Sequence, residues 1–329
     1  MIELDPLAHP WAWHGGAVWE RDSARFAPWR IPPADLRSFD AEELVLKARM
    51  AAGVRLEVDT DAASIEMTVE ALDEGTSPLD LVVDGELALR SPIGEGATTV
   101  RLELPDGRHR VELWLPHFGR VLVSGATLAG VSDIEPVDQR PTWFAYGSSI
   151  THSRSADGPS TTWPALVDRA LGWDHSSLGL GGQCHLDPPA RRTMTASDAD
   201  LFVACLGINM YQAATFGPRG LEPQLGGFLA DILAARPTAP LVVVSPIPSP
   251  SREDEPNAHG LTLADVRESV ESVARSLAAD HENVSWISGP ELLRFEEADG
   301  LLPDGLHPGQ AGMHLIAERL APRLLSARG

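Results

Sequence analysis

The hydrophobic period of this chain changes near residue 139, so one architecture cannot serve both halves. Before that point apolar residues recur at every second position. Val100-Arg101-Leu102-Glu103-Leu104 turns its aliphatic residues to one face and its charges to the other, and Val111-Glu112-Leu113-Trp114-Leu115 repeats the pattern. That alternation belongs to half-buried strands. Asp106-Gly107 separates these two runs, and Asp84-Gly85 separates Leu81-Val82-Val83 from Glu86-Leu87-Ala88-Leu89, so both pairs read as hairpins. Further short strands are expected at 54–58, 65–69 and 120–123, with no long amphipathic helix among them. Many short strands with turn signals predict a β-sandwich or jelly roll.

Beyond residue 139 strand-like and helix-like runs alternate. Trp143-Phe144-Ala145-Tyr146 is a short apolar run. A helix follows, with Thr162 as N-cap, Pro164 in its first turn, and Trp163, Leu166, Val167, Ala170 and Leu171 on one face. Leu201-Phe202-Val203-Ala204-Cys205-Leu206 and Leu241-Val242-Val243-Val244 are continuous apolar runs, as buried parallel strands require. Leu225, Leu229, Ile232 and Leu233 make one helical stripe; Val266, Val270, Val273 and Leu277 make another. Val284-Ser285-Trp286-Ile287 reads as the last strand, and 313–325 as a closing helix disturbed at Pro322. The alternation predicts a doubly wound parallel sheet with helices on both faces, whose chemistry gathers at the C-terminal strand ends. The expected division is a sandwich domain over 1–138 and an α/β domain over 139–329, joined by a Pro-containing polar linker at 132–141.

The first 40 residues carry Trp11, Trp13, Trp19 and Trp29. They read as a strap packed on the core, with a carbohydrate-stacking surface as the alternative. The formal net charge of −21 repels polyanions, which argues against nucleic acid and anionic membranes as partners. Lys47 is the only lysine, in a run (43–50) that reads as a strand, so Schiff-base chemistry is disfavoured. Two cysteines, Cys184 and Cys205, form no disulfide framework and fit a reducing compartment. Cys205 reads as core and Cys184 as an accessible loop residue, with one disulfide between them left open. The N-terminal residues lack the basic and apolar regions of a signal peptide, and no apolar run reaches the ~20 residues of a membrane span, so the expectation is a cytoplasmic protein.

Four short segments carry the candidate chemistry. Gly147-Ser148-Ser149-Ile150-Thr151 follows the first strand of the second half, where a hydroxyl is exposed at the sheet rim, although an ordinary loop has the same composition. Asp304-Gly305-Leu306-His307 can set a carboxylate beside an imidazole and fix its tautomer, or be a metal pair or a surface turn. Leu178-Gly179-Leu180-Gly181-Gly182-Gln183 offers backbone N–H groups in close approach, as an oxyanion site, a phosphate cradle or a plain turn. It matches neither dinucleotide nor P-loop spacing. Gly207-Ile208-Asn209-Met210 offers a side-chain amide, or a cap.

In this order at successive strand ends, the four segments strongly resemble the SGNH hydrolase superfamily, the GDSL esterases, over residues 140–329. The Trp163-Pro164-Ala165-Leu166 helix adds to the likeness. The resemblance implies a three-layer α/β/α, flavodoxin-like domain. It implies Ser149 as nucleophile, Asp304 and His307 completing the triad, and an oxyanion hole of Ser149, Gly182 and Asn209. Ser148 stands where the family has Asp, and Met210 where an Asp often follows the Asn, so substrate preference transfers less well than the triad. No Gly-x-Ser-x-Gly elbow is present, which disfavours the α/β-hydrolase fold.

The implied function is a serine esterase that cleaves a small acyl ester through a Ser149 acyl-enzyme, without metal or cofactor. Members with an N-terminal β-domain look like carbohydrate acetyl esterases or acyltransferases that tailor natural products, so transfer to a hydroxyl is the alternative. A glycan-binding protein with an inactive hydrolase domain is the second alternative. Ser148, His152, Gln183 and Met210 are candidate substrate-binding residues, with His185 in the same loops. A CoA-type donor calls for a basic patch, for which Arg154, Arg191 and Arg192 are available. His14, His109 and His117 lie in the β-domain, and no Cys/His spacing marks a structural zinc site.

Overall fold

Five parallel strands form the sheet that carries the four segments, in the order Asp174–Gly179, Thr142–Gly147, Leu201–Cys205, Leu241–Val244, Val284–Ile287. This is a computed structural model, and it describes residues 1–16, 18–39 and 41–329. Side chains alternate across the sheet. Phe144, Tyr146, Phe202, Ala204, Leu241 and Val243 enter one apolar core with Leu225, Leu229, Val266 and Val270. Trp143, Ala145, Leu201, Val203, Val242 and Val244 enter another with Trp163, Val167, Ile316 and Leu320. Both faces are covered by helices, which is why these strands read as unbroken apolar runs. The result is the doubly wound α/β/α layering, with the winding reversing between Thr142–Gly147 and Leu201–Cys205.

Local capping sets the helix starts. The Thr162 side chain accepts the Ala165 N–H at the head of Trp163–Leu171, and Gly172 ends that helix with φ 66°. Thr262 and Asp265 form a capping box on Leu263–Asp280. The last helix runs unbroken over Gln310–Arg328, through Pro322, against expectation. Burial of Met313, Ile316, Leu320 and Leu324 outweighs the one backbone hydrogen bond that proline removes.

The first part of the chain is a β-sandwich of two antiparallel sheets. One contains Ile2–Leu4, Ala126–Ala129, Ser64–Ala71, Val121–Val123, Arg25–Trp29, Val18–Asp22 and Gly96–Glu103; the other contains Ile134–Glu135, Arg55–Thr60, His109–Trp114, Leu79–Val83, Glu86–Ser91 and Trp13–His14. Ile65, Met67 and Val100 from the first sheet meet Leu56, Val58 and Val111 from the second in one core. The hairpin at Asp84-Gly85 forms, with positive φ at both residues (51° and 83°), as a type I′ turn requires. The expected hairpin at Asp106-Gly107 does not. Gly96–Glu103 pairs with Ser64–Ala71, whereas His109–Trp114 pairs with Arg55–Thr60 and Leu79–Val83, so this turn carries the chain from one sheet to the other. The run around Lys47 is also corrected: Glu42–Ala48 is a helix, because Leu44 and Ala48 bury on one side at helical spacing.

Trp13 packs edge-on against Trp19, and Trp29 is buried with its indole N–H on Glu20, so three of the four N-terminal tryptophans are packing residues. Within the 132–141 stretch, Ile134–Glu135 pairs with Arg55–Thr60. Among the described residues no helix is long and apolar enough to cross a membrane.

The two parts share a core. Trp29, Ile31, Leu36 and Leu44 belong to the same apolar cluster as Tyr146, Leu178 and Leu180. The strand Asp174–Gly179 is gripped at both ends. At its start Arg55 donates to Asp174 at 2.6 Å, and His14 Nδ1 lies 2.5 Å from the same carboxylate. At its finish the buried Arg30 guanidinium donates to the carbonyls of Ser177 (3.1 Å) and Gly179 (2.8 Å).

Candidate active site

The strand Thr142–Gly147 ends in a one-turn helix, Ser149–His152. Ser148 caps it, accepting the Ile150 N–H at 3.2 Å on its hydroxyl. A small N-capping side chain therefore occupies the position where the family pattern has Asp. Ser149 is thereby set at the C-terminal edge of the sheet, partly exposed.

Ser149 Oγ lies 2.8 Å from His307 Nε2. His307 Nδ1 lies 2.6 Å from Asp304 Oδ2, and Asp304 Oδ1 accepts the N–H groups of Leu306 (3.0 Å) and His307 (2.7 Å). A carboxylate only accepts, so Nδ1 carries the proton and the Nε2 lone pair faces the serine hydroxyl. Partial burial pushes the Asp304 carboxyl up, but the His307 N–H, its ring and the Leu306 N–H together hold it at about 2. The turn is tied to the neighbouring loop, since Ser249 Oγ–H donates to the Gly305 carbonyl at 2.6 Å and Arg252 donates to Ser249 Oγ at 2.9 Å.

Of the two remaining segments, the glycine loop approaches Ser149 and the Asn209 segment is tied to that loop's continuation at Cys184. A Cβ placed on Gly181 would stand 3.7 Å from Ser149 Cβ. Gly182, at φ 76°, is exposed and has open space over it. Asn209 is buried on the short helix Ile208–Gln212, and its Oδ1 accepts the Cys184 N–H at 3.1 Å. That bond fixes the amide orientation and leaves Nδ2 as a donor, one hydrogen of which goes to Gln212 Oε1 at 3.3 Å. Gly207 starts this helix at φ 116°, where a Cβ would meet Pro246 Cγ at 2.6 Å. No other residue allows so sharp an entry.

Several of the expected substrate-binding residues make other contacts. Ser148, His152 and Met210 are buried, at 3%, 1% and 2% exposure. Ser148 caps its helix, Met210 sits in the apolar core, and His152 is held between backbone groups. Gln183 is partly exposed beside Gly182. His185 Nε2–H donates to the Gly182 carbonyl at 3.0 Å, and its Nδ1 accepts from Thr215 Oγ at 2.8 Å. Of the proposed basic patch, Arg191 pairs with Asp231 at 2.6 Å and Arg192 with Asp35 at 2.8 Å, while Arg154 keeps its charge, stacked on Phe118. Cys184 is buried rather than accessible, and it and Cys205 are free thiols, so the disulfide is excluded.

The family model described as "GDSL-like Lipase/Acylhydrolase family" matches residues 145–315. The chain belongs to the GDSL-like lipase/acylhydrolase family. A second family model, the SsfX3 N-terminal domain, matches residues 12–124. The GDSL chain is similar to a salicylyl-acyltransferase, SsfX3, from a tetracycline biosynthetic pathway, with 30% identity and a TM-score of 0.87 over 95% of this chain and 94% of that one. A GDSL-like lipase from Bacteroides ovatus has the same fold at 19% identity and a TM-score of 0.74, covering 96% of this chain and 95% of that one. So does a family two carbohydrate esterase from Clostridium thermocellum, at 15% identity and 0.66, covering 84% and 93%. No curated protein matches the chain. As a GDSL protein it is an enzyme acting on acyl esters, by hydrolysis or by acyl transfer.

Sequence reasoning missed Arg30, Gln212 and the braces made by His152 and His185. Arg30 sits 147 residues from Ser177, beyond the reach of any local pattern. Gln212 carried a usable signal, standing one helical turn after Asn209.

Proposed function

We propose that Ser149, His307 and Asp304 form the catalytic triad of an acyl-transferring enzyme, with the N–H groups of Ser149 and Gly182 and the Asn209 amide as the oxyanion hole. The unbroken chain of contacts at 2.8 and 2.6 Å from Ser149 through His307 to Asp304 carries the reading. His307 Nε2 takes the hydroxyl proton as Ser149 Oγ bonds to the ester carbonyl carbon. The carbonyl electron pair moves to the oxygen, where preorganised donors stabilise it. Collapse expels the alcohol or thiol of the donor, which leaves with the proton from His307, and an acyl-Ser149 ester remains. An incoming hydroxyl then loses its proton to His307 and attacks that ester, and the proton returns to Ser149 as the acyl group departs.

The acceptor we propose is the hydroxyl of a natural product or sugar. The likeness to a salicylyl-acyltransferase across both parts of the chain supports this. Hydrolysis is the second reading, favoured by the exposure of the His307 (28%) and Asp304 (57%) side chains, which leaves the acyl-serine open to water. A binding-only role is disfavoured by the assembled triad. We take 1–138 and 139–329 as the two domains, and the two free thiols agree with a reducing compartment.

Mass spectrometry tests the reading. Incubation with p-nitrophenyl acetate should add one acetyl group to the peptide containing Ser149, and the Ser149→Ala protein should gain none. Chasing the acyl-enzyme with water or with a panel of alcohols then decides the acceptor. Faster discharge by an alcohol, with formation of its ester, supports transfer; equal discharge by water alone leaves hydrolysis. Acylation at another residue would sink the assignment.

A further inference from the structure

Two glycines in succession, Gly181 and Gly182, give the proposed oxyanion loop more backbone freedom than any other pair of residues would. An oxyanion donor acts through preorganisation, so something outside the loop has to remove that freedom. On one side the Gly182 carbonyl is held by His185. On the other, Gly181 N–H donates to His152 Nδ1 at 3.3 Å.

The opposite edge of the His152 ring leads into the other half of the molecule. His152 Nε2 lies 2.7 Å from the His117 carbonyl, which only accepts, so Nε2 carries the proton and Nδ1 presents its lone pair to Gly181. The His117 segment is itself pinned to the sandwich: Leu115 N–H donates to the Val54 carbonyl, Phe118 N–H to Ser77 Oγ, and Ser77 N–H to the Phe118 carbonyl. Phe118 covers the His152 ring at 5.7 Å between centroids. Burial, with the nearby Arg30 charge, holds the ring well below the usual histidine range. A neutral ring is what the arrangement requires, since a proton on Nδ1 would oppose the Gly181 N–H.

We propose that His152 is a positioning residue for the reaction, coupling the antiparallel part of the chain to the oxyanion loop by holding Gly181 from a ring anchored on His117. The proposal rests on the reading of Ser149 and Gly182 given above. It assigns the sandwich a part in catalysis that needs no contact with substrate.

Two substitutions separate the halves of the ring. In His152→Asn the amide oxygen can take the place of Nδ1 and keep the Gly181 bond, while the reach to His117 is lost. In His152→Gln the amide nitrogen can take the place of Nε2 and keep the His117 anchor, while the acceptor for Gly181 is lost. With p-nitrophenyl acetate, His152→Gln should lower kcat by roughly 10–100-fold with little change in KM, the scale of a small misplacement of a reacting group. His152→Asn should recover most of that loss. Equal kcat in the two variants, or the reverse order, overturns the proposal. If either fails to fold, histidine ¹⁵N spectra of the wild-type protein take over. They should show His152 as the neutral Nε2–H tautomer, with its Nδ1 resonance shifting when a boronic acid adds to Ser149. An Nδ1–H tautomer, or no shift on adduct formation, overturns it. Labelling by a fluorophosphonate keeps the two readings apart: failure to label Ser149 in the wild type sinks the nucleophile assignment, whereas normal labelling with no Asn/Gln difference sinks only the role of His152.

Discussion

One carboxylate does two things at the end of the chain: Asp304 Oδ2 meets His307 Nδ1 at 2.6 Å, while Asp304 Oδ1 accepts the His307 backbone N–H at 2.7 Å. The same group closes the turn and orients the ring. Asp304→Asn keeps one acceptor oxygen, so it can hold the turn only by facing its NH2 group to Nδ1, which imposes the wrong tautomer. We expect kcat for p-nitrophenyl acetate to fall by on the order of 10⁴, as when the orienting carboxylate of a triad becomes an amide. A loss under tenfold would mean that His307 is oriented by something else.

Asp304 also bears on the pH profile. Its carboxyl is held at about 2, below the ordinary value near 3.9. A depressed carboxyl contributes stability that is present above the unfolded value and lost as pH falls through the folded one. Between pH 4 and 8 the group stays ionised. The acid limb of kcat/KM in that window should contain no step from Asp304, and a limb in the wild-type protein that falls with the slope of two ionisations would contradict this.

Asn209 is held by the Cys184 N–H with its amide nitrogen left as donor. Asn209→Ala should lower kcat by roughly 10²–10³-fold, the scale of one lost oxyanion donor. Unchanged steady-state kinetics would remove Asn209 from the oxyanion hole.

The contact between the two parts of the chain rests on a buried charge. Arg55, 1% exposed, lies between Asp174 and Glu57. Burial alone would raise the Asp174 carboxyl, but the charge of Arg55 and the bond from His14 hold it well below the usual range. Arg55→Ala removes the most buried partner of these carboxylates, leaving Asp174 to His14 and Glu57 to Arg140 and Arg110, and should destabilise the protein by up to about 3–5 kcal/mol. Urea unfolding at pH 7 measures it. The contribution from Asp174 is present above pH ~4 and is lost on acidification, so the gap between wild type and variant should narrow at lower pH.

Burial raises both thiols, that of Cys205 to about 12. Neither is a thiolate at neutral pH, so a thiol reagent should leave the native protein unmodified and fully active, and react only on unfolding. Rapid labelling of native Cys184, read by intact mass, would contradict its burial.

Gly207→Ala places a Cβ against the Pro246 ring at φ 116°. Strain of order 1–3 kcal/mol is expected, with a lower melting temperature and a lower kcat as Asn209 shifts. A variant as stable and active as wild type would show that this entry is not constrained.

By itself the sequence determined most of the element types and which segments carry the proposed chemistry. The change of period separates strands from alternating strands and helices, because side-chain direction repeats every two residues in one and about every 3.6 in the other. Ser149 and Asn209 were legible because each follows a strand whose apolar run marks its end, Gly182 by its run of glycines, and the Asp304/His307 pair, which lies beyond the helix Ala298–Leu301, by its spacing of three. Partner choice was not. The Asp106-Gly107 turn has hairpin composition, yet its flanking strands enter different sheets, since either register buries the same apolar face. The helix at Glu42–Ala48 was hidden because seven residues hold too few turns to show a period. Only the tertiary structure decided which side chains brace the oxyanion loop. His152 looked like a pocket residue and is buried between His117 and Gly181, and Arg30 reaches Gly179 across 149 residues. Such contacts pair backbone groups with side chains far away in sequence, and a backbone carbonyl carries no residue identity that a sequence pattern could register.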